Sequence, residues 1–240
     1  VSGPAQTFPP LHDLSRIPPG PVLVVAPHPD DEIIGCGGAI ALHSRRGDAV
    51  YVALVSGGEA GGDAEVRLSE SRKAVSRLGS PEVICLAAVD GAVADDPGVA
   101  ARIRRVAERV QPVVVYAPSP FEMHPDHVAT MDAVGVAFAG RDDLTLLLYE
   151  VNAEHMASFL LDITSVHAAK REALTVFASQ IGSIDIVAKC DARNRARTVN
   201  VDLPDVTHAE GFLRLAPDDV AAARAGVRAL ARTLGVLPEA

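Results

Sequence analysis

The chain has 240 residues, 48% of them hydrophobic and 22% charged, which is enough apolar material for a buried domain and excludes a disordered chain. Aromatic residues make up only 4% and Trp is absent, so the core must be built from Val, Leu, Ile and Ala. The formal net charge is −9, and the arginines are scattered among acidic residues with no basic stripe, which argues against a nucleic-acid partner.

Residues 1–20 carry Pro4, Pro9, Pro10, Pro18 and Pro19 and read as an extended N-terminal arm. They lack the charged-then-apolar order of a signal peptide. No apolar run reaches membrane-spanning length. Cys36, Cys85 and Cys190 are too sparse for a disulfide scaffold. A cytoplasmic protein is expected, with residues 21–240 as a single domain. Nothing in the sequence decides its oligomeric state, and a homo-oligomer is compatible with it.

Residues 21–26 read as a short, fully buried strand. It ends at Pro27-His28-Pro29-Asp30-Asp31-Glu32, where two prolines impose a fixed loop. A glycine-rich helix follows to about residue 47. Residues 49–55 form a second strand, and residues 56–62 a glycine-rich loop. A helix over residues 63–78 leads to a third strand at 82–87. Val99, Ile103, Val106 and Val110 lie on one helix face, and residues 113–116 form a fourth strand. Another helix begins after His127, with Val128, Met131, Val134 and Phe138 on one face. Residues 144–149 are a fifth strand and residues 166–177 a helix. A last helix aligns Val220, Ala223, Val227, Leu230 and Leu234. Strands alternating with helices predict an α/β fold with a parallel sheet and right-handed crossovers. Ligands are then expected at the carboxyl ends of the strands.

The unusual residues lie at those ends. His28-Pro29-Asp30-Asp31 follows the first strand and His124-Pro125-Asp126-His127 the fourth. Two imidazoles and a carboxylate with an open position suit a catalytic Zn²⁺, and a second carboxylate nearby can act as a base. The plainer reading, polar turn residues, fits either loop alone. It fits poorly to two such clusters at the ends of separate strands.

The run Ala26-Pro27-His28-Pro29-Asp30-Asp31-Glu32 with Gly35-Cys36-Gly37-Gly38, and the run His124-Pro125-Asp126-His127, resemble the two signatures of the PIG-L (LmbE-like) family. Weaker matches follow in order at Arg67-x-x-Glu70, Asp90-Gly91, Asp162-Ile163-Thr164, Lys170, Ser179-Gln180 and Glu210, so the resemblance covers residues 21–215. Glu122-Met123 departs from a glycine frequent in the family, which implies a different pocket wall beside His124. The run from Ser119 to His124 looks most like bacterial members associated with glycoconjugate assembly.

The resemblance implies a Rossmann-like fold, a mostly parallel sheet flanked by helices, and one divalent metal per chain, zinc or another ion. It implies His28, Asp31 and His127 as ligands and Asp30 as the base acting on the metal-bound water. His124 would stabilise the oxyanion or protonate the leaving amine, with Asp126 orienting it. Arg67 and Asp90 would bind sugar hydroxyls. The implied reaction is deacetylation of an N-acetylglucosamine-containing small molecule or glycoconjugate. Two alternatives stand beside it: an amidase for a larger amide or S-conjugate, and a non-catalytic sugar or nucleotide binder. The aglycone, the acyl length and the physiological metal are left open.

Other residues carry competing readings. Arg67 reads equally as an exposed helix charge paired with Glu70, and Asp90 as part of a turn. Glu32 reads either as the partner of a ligand histidine or as a helix N-terminal acid. Residues 57–62 lack the Lys-Ser/Thr of a phosphate loop and read as a lid or turn. Residues 35–38 do not form GxGxxG, and neither Ser56 nor Ser119 sits in GxSxG. The three cysteines read as buried apolar groups. His12, His43, His155, His167 and His208 stand isolated in sequence, and only His208 lies where it could line the pocket. Residues 191–205 read as a loop or an interface.

Overall fold

In the computed structural model, which describes residues 9–79, 81–181 and 185–236, the first described element is a two-residue strand, Leu11–His12 (β1). Residues 1–8 of the expected arm lie outside the described residues. The part that is described is tied down: Arg46 donates to the carbonyls of Leu14, Ile17 and Pro18 at 2.9 Å each.

The strands Val22–Ala26 (β2), Val50–Ser56 (β3), Glu82–Ala88 (β4), Val114–Pro118 (β5) and Thr145–Tyr149 (β6) match the five expected from the sequence. Between them lie helices Asp31–Arg46 (α1), Ala64–Ser76 (α2), Val99–Val110 (α3) and Pro125–Ala137 (α4). Phe159–Asp162 (β7), His167–Leu174 (α5), Ile186–Ala196 (α6), Ala209–Leu215 (β8) and Val220–Thr233 (α7) complete the described chain. One sheet of eight strands results, in the order β1-β7-β8-β6-β5-β2-β3-β4. Only β8 runs against its neighbours, so the sheet is mostly parallel and flanked by helices.

Period-2 alternation divides the core into two layers. Val22, Val24 and Ala26 face one side of the sheet, packed under α1 and α5. Leu23 and Val25 face the other, with Ile103, Met131 and Val134 of α3 and α4. β2 has helices on both faces, which explains an unbroken apolar run without polar alternation. Helix α1 can lie this close to β6 because position 35 is glycine: a Cβ there would sit 2.2 Å from Tyr149 Cδ2.

The strand order fixes where chemistry can occur. β2 pairs with β3 on one side and β5 on the other, so the direction of winding reverses at β2. In open α/β sheets the crevice at such a reversal receives the ligand. The segments leaving β2 and β5 are the two His/Asp motifs.

Three expectations change. Residues 191–205 begin inside a helix, α6, that the sequence left undecided. Cys85 is only half-buried, unlike Cys36 and Cys190. The apolar stripe of α7 is buried only at Val220, and Leu230 and Leu234 are exposed. Among the described residues no helix is long and apolar enough to cross a membrane.

Candidate metal centre

Pairing of β2 with β5 brings the two motifs together. Asp31 opens α1, and its Oδ2 lies 3.2 Å from His28 Nδ1 and 3.3 Å from His127 Nε2. His127 sits in the first turn of α4, started by Pro125 at a position where a missing N–H costs nothing. The ligand atoms of His28, Asp31 and His127 all fall within 4.8 Å of one another.

The far side of each imidazole meets carboxylate. His28 Nε2 lies 3.1 Å from Asp126 Oδ2 and 3.0 Å from Asp90 Oδ1. His127 Nδ1 lies 3.1 Å from Glu122 Oε2. Each ring can therefore donate one N–H backward and turn its other nitrogen toward Asp31. This is the arrangement that orients metal-ligating histidines. Two ligand atoms on one tetrahedral ion with bonds of ~2.0–2.1 Å stand about 3.3 Å apart. The donor set and its spacing fit a divalent cation. A second grouping, His28, His124 and Asp126, shares His28 and offers one more imidazole.

Charges follow the same pattern. Burial alone would lower the His28 pKa, yet Asp31, Asp126 and Asp90 raise it to about 9. His127 is raised to about 10 against burial by Asp31 and Glu122. Burial opposes ionisation of Asp31, but the two imidazoles hold its carboxyl well below the usual range. The cluster thus gathers Asp31, Asp90, Asp126 and Glu122 around two imidazoles.

Asp30 points into the same cleft from a backbone φ of 134°, a region that side chains rarely adopt. Its N–H donates to Glu32 Oε2 at 2.9 Å, and Glu32 in turn accepts from Ser71 Oγ at 2.6 Å. Glu32 therefore holds the strained loop and touches neither His28 nor His127. Burial, then the neighbouring charge of Asp31, raises the Asp30 pKa well above the carboxylate range, opposed by Arg67.

Arg67 is 5% exposed, which removes the reading as a surface charge paired with Glu70. Its guanidinium donates to Gly58 O at 2.7 Å and Pro29 O at 3.0 Å, and reaches Asp30 Oδ2 at 3.3 Å. The loop after β3 wraps this group: a Cβ at Gly58 would fall 2.4 Å from Arg67 Nη1. Glu70 instead accepts from the N–H and hydroxyl of Ser179.

The Asp126 carboxylate accepts from the N–H of Gly91 at 2.7 Å and of Val93 at 3.2 Å, and so ties the loop after β4 to α4. It faces His28; only its backbone N–H meets His124, at Nδ1. His124 is exposed at the mouth, its ring 5.0 Å from those of His28 and His127. Burial and those two rings lower its pKa. Asp90 Oδ2 accepts from Ala60 N, joining the glycine loop to the site.

These residues line a cleft of about 700 Å³. Its outer wall comes from Ile186, Lys189, Cys190 and Arg193 of α6 and from Val151 and Asn152 after β6. Glu122 was not singled out as a site residue by its type, although it lies only five residues before His127 in sequence. Lys170 and Glu210 pair at 2.7 Å in the core, and Glu210 accepts from the N–H groups of Gly38 and Ala39 past the break in α1 at Cys36. They hold the scaffold and lie outside the cleft lining.

Comparison with known proteins places these features in context. The family described as PIG-L, GlcNAc-PI de-N-acetylase, matches residues 23–138. A diacetylchitobiose deacetylase from Thermococcus kodakarensis is 30% identical over 197 residues, covering 71% of this chain and 72% of the relative. The crystal structure of N,N'-diacetylchitobiose deacetylase from Pyrococcus horikoshii superposes with a TM-score of 0.69 at 25% identity, over 83% of this chain and 85% of that one. GalB, a 4-carboxy-2-hydroxymuconate hydratase from Pseudomonas putida KT2440, superposes at 0.70 and 25% identity, over 82% of this chain and 97% of that one.

Proposed function

Because the chain belongs to the PIG-L (LmbE-like) family, we propose that it is a divalent-metal-dependent hydrolase, zinc in the first place, that deacetylates an N-acetylglucosamine-containing small molecule or glycoconjugate. One observation carries the reading: Asp31 Oδ2 is met by one nitrogen of His28 and one of His127, while the other nitrogen of each ring is backed by carboxylate. His28, Asp31 and His127 would hold the ion. When bound, such an ion polarises the amide carbonyl and lowers the pKa of water.

The remaining steps fall to the chain. Asp30, held in the cleft beside Asp31, takes a proton from the attacking water. Arg67 keeps that carboxylate aimed into the cleft. His124 stands at the open side, where a tetrahedral intermediate's oxygen or a departing amine would lie, and donates to it. Asp126 holds the loops around His28 and, through its backbone N–H, the His124 ring. Arg67 and Asp90 line the cleft where sugar hydroxyls would bind, and in the same reading the substrate is met in the cytoplasm. A cleft of about 700 Å³ lies within the range of drug-sized ligands, so an aglycone fits beside the sugar.

The test is metal analysis of the purified protein, with free-amine release from a panel of N-acetylglucosamine derivatives measured before and after chelation. Chelator-sensitive amine release, restored by zinc, is the expected result. The likeness to GalB gives a second reading, addition of water to a double bond. A protein that releases no amine after zinc is restored, yet hydrates a conjugated carboxylic acid, would replace the first reading with the second.

A further inference from the structure

Away from the cleft lining, three more metal-ligating side chains converge. His167 begins α5, Asp191 lies on α6, and His208 directly precedes β8. His167 Nε2 is 3.1 Å from Asp191 Oδ1, and His208 Nε2 is 3.6 Å from the same oxygen. The two rings are stacked, with centroids 3.5 Å apart and planes 12° from parallel.

Two features of this cluster call for an occupant. His208 is buried, and its Nε2 has no hydrogen-bond partner, since 3.6 Å to Asp191 is too long for one. An imidazole nitrogen left unsatisfied in the interior is costly. Its other nitrogen is already used, 2.8 Å from Thr207 Oγ1. Protonation does not resolve this. Two imidazolium rings stacked at 3.5 Å would repel, and one carboxylate serves both. Burial lowers the pKa of each ring, and His208 lowers that of His167 further.

We propose that His167, Asp191 and His208 form a second divalent-metal site, of the kind that takes Zn²⁺, fastening α6 to α5 and to the start of β8. Two imidazoles and one carboxylate are a zinc donor set. The separations of 3.1 and 3.6 Å bracket the about 3.3 Å expected between ligand atoms on one tetrahedral ion with bonds of ~2.0–2.1 Å. For both lone pairs to meet one ion, the nearly parallel rings would have to splay about their Cβ–Cγ bonds. The Asp191 side chain is 27% exposed, which leaves a path for the ion and room for water to complete its shell. The site shares no ligand with His28, Asp31 or His127. It grips α6 beside Lys189, Cys190 and Arg193, which line the cleft. An ion here therefore braces the cleft wall.

The test counts zinc ions per chain. The full-length protein is stripped with chelator, titrated with zinc alone, and read by native mass spectrometry and equilibrium dialysis. Two ions per wild-type chain are expected, falling to one in Asp191→Asn and to one in His28→Ala. His208→Gln, of similar size, carries the measurement if Asp191→Asn does not fold. A count of two that neither Asp191→Asn nor His208→Gln reduces overturns the proposal. So does a wild-type count of one that disappears in His28→Ala, or a count of zero. A count of one that survives His28→Ala and disappears in Asp191→Asn supports this site and removes the metal from the catalytic reading.

Discussion

Glu122 stands behind His127, its Oε2 3.1 Å from Nδ1, while the far nitrogen of the same ring faces Asp31 at 3.3 Å. The acid also accepts from the N–H groups of Val151 and Asn152 after β6. It thus fixes the tautomer of His127 and anchors one wall of the cleft. Glu122→Gln keeps the shape but loses the charge that draws the proton to Nδ1. Metal affinity should fall by about 10–100-fold with the fold retained. Competition against a chromogenic zinc chelator measures this, and unchanged affinity would remove Glu122 from the site.

Asp30 combines a strained backbone with a buried carboxyl, so function and stability should separate there. Asp30→Asn should retain metal and lose about 10²–10⁴-fold in turnover, the usual worth of a positioned base. Asp30→Gly goes further. It relieves the φ of 134° and removes a buried acid, while Arg67 keeps its bonds to Gly58 and Pro29. Strain of this kind costs ~1–3 kcal/mol, and glycine gives back ~0.5–1 in chain entropy, so a net gain of about 1 kcal/mol is expected. Thermal unfolding of the inactive variant should show a raised midpoint. A lowered midpoint would mean that the Asp30 side chain is part of the scaffold.

The parts legible in sequence were those whose signal is local. β2 announces itself by five consecutive buried apolar residues, three of them valine, and α3 by Val99, Ile103, Val106 and Val110 on one face. Both His/Asp motifs could be placed at strand ends, and strand pairing then brought them together. β7, β8 and α6 were not legible. β7 has four residues, and β8 carries Glu210 and Gly211 where an apolar pattern would help. Glu210 is tolerated in the core because Lys170, 40 residues away in sequence, pairs with it and Gly38 and Ala39 donate to it. α6 buries only Cys190 and Asn194, too few for a periodic stripe. The role of Glu122 and the meeting of His167 with His208 depend on long-range contacts that no window of sequence contains. So does the turn of the Asp126 carboxylate toward His28, where the resemblance pointed to His124.

Helix α1 rests at Gly35 directly on the ring of Tyr149. In Gly35→Ala the new Cβ would lie 2.2 Å from Tyr149 Cδ2 and 2.7 Å from Cε2. The Tyr149 ring cannot swing away freely, since it is fully buried and its hydroxyl donates to Val25 O at 2.8 Å. The helix must shift instead, carrying Asp31 with it. Destabilisation of about 1–3 kcal/mol is expected from overpacking. Weakened zinc binding should accompany it. Denaturant unfolding and the chelator competition check the pair, and a variant with normal stability would show that the helix–sheet contact yields without cost.

His43 sets an acid limit on stability independent of the His/Asp cleft. It is fully buried, with Nδ1 2.6 Å from Asp48 Oδ2, Nε2 2.9 Å from the Tyr116 hydroxyl, and Arg46 close by. Burial lowers its pKa below 6.5 in spite of Asp48, and Arg46 adds to the lowering. The unfolded chain therefore binds this proton at a higher pH than the native one. The stability contribution is complete above the unfolded pKa and is lost as pH falls from 6.5 through the native value. The slope from this one group is at most about 1.4 kcal/mol per pH unit. His43→Gln lacks the titration. Its stability deficit relative to wild type, measured by urea unfolding at pH 8 and then at successively lower pH, should shrink on acidification. A deficit that stays constant down to pH 4.5 would mean that His43 is not held neutral by its surroundings.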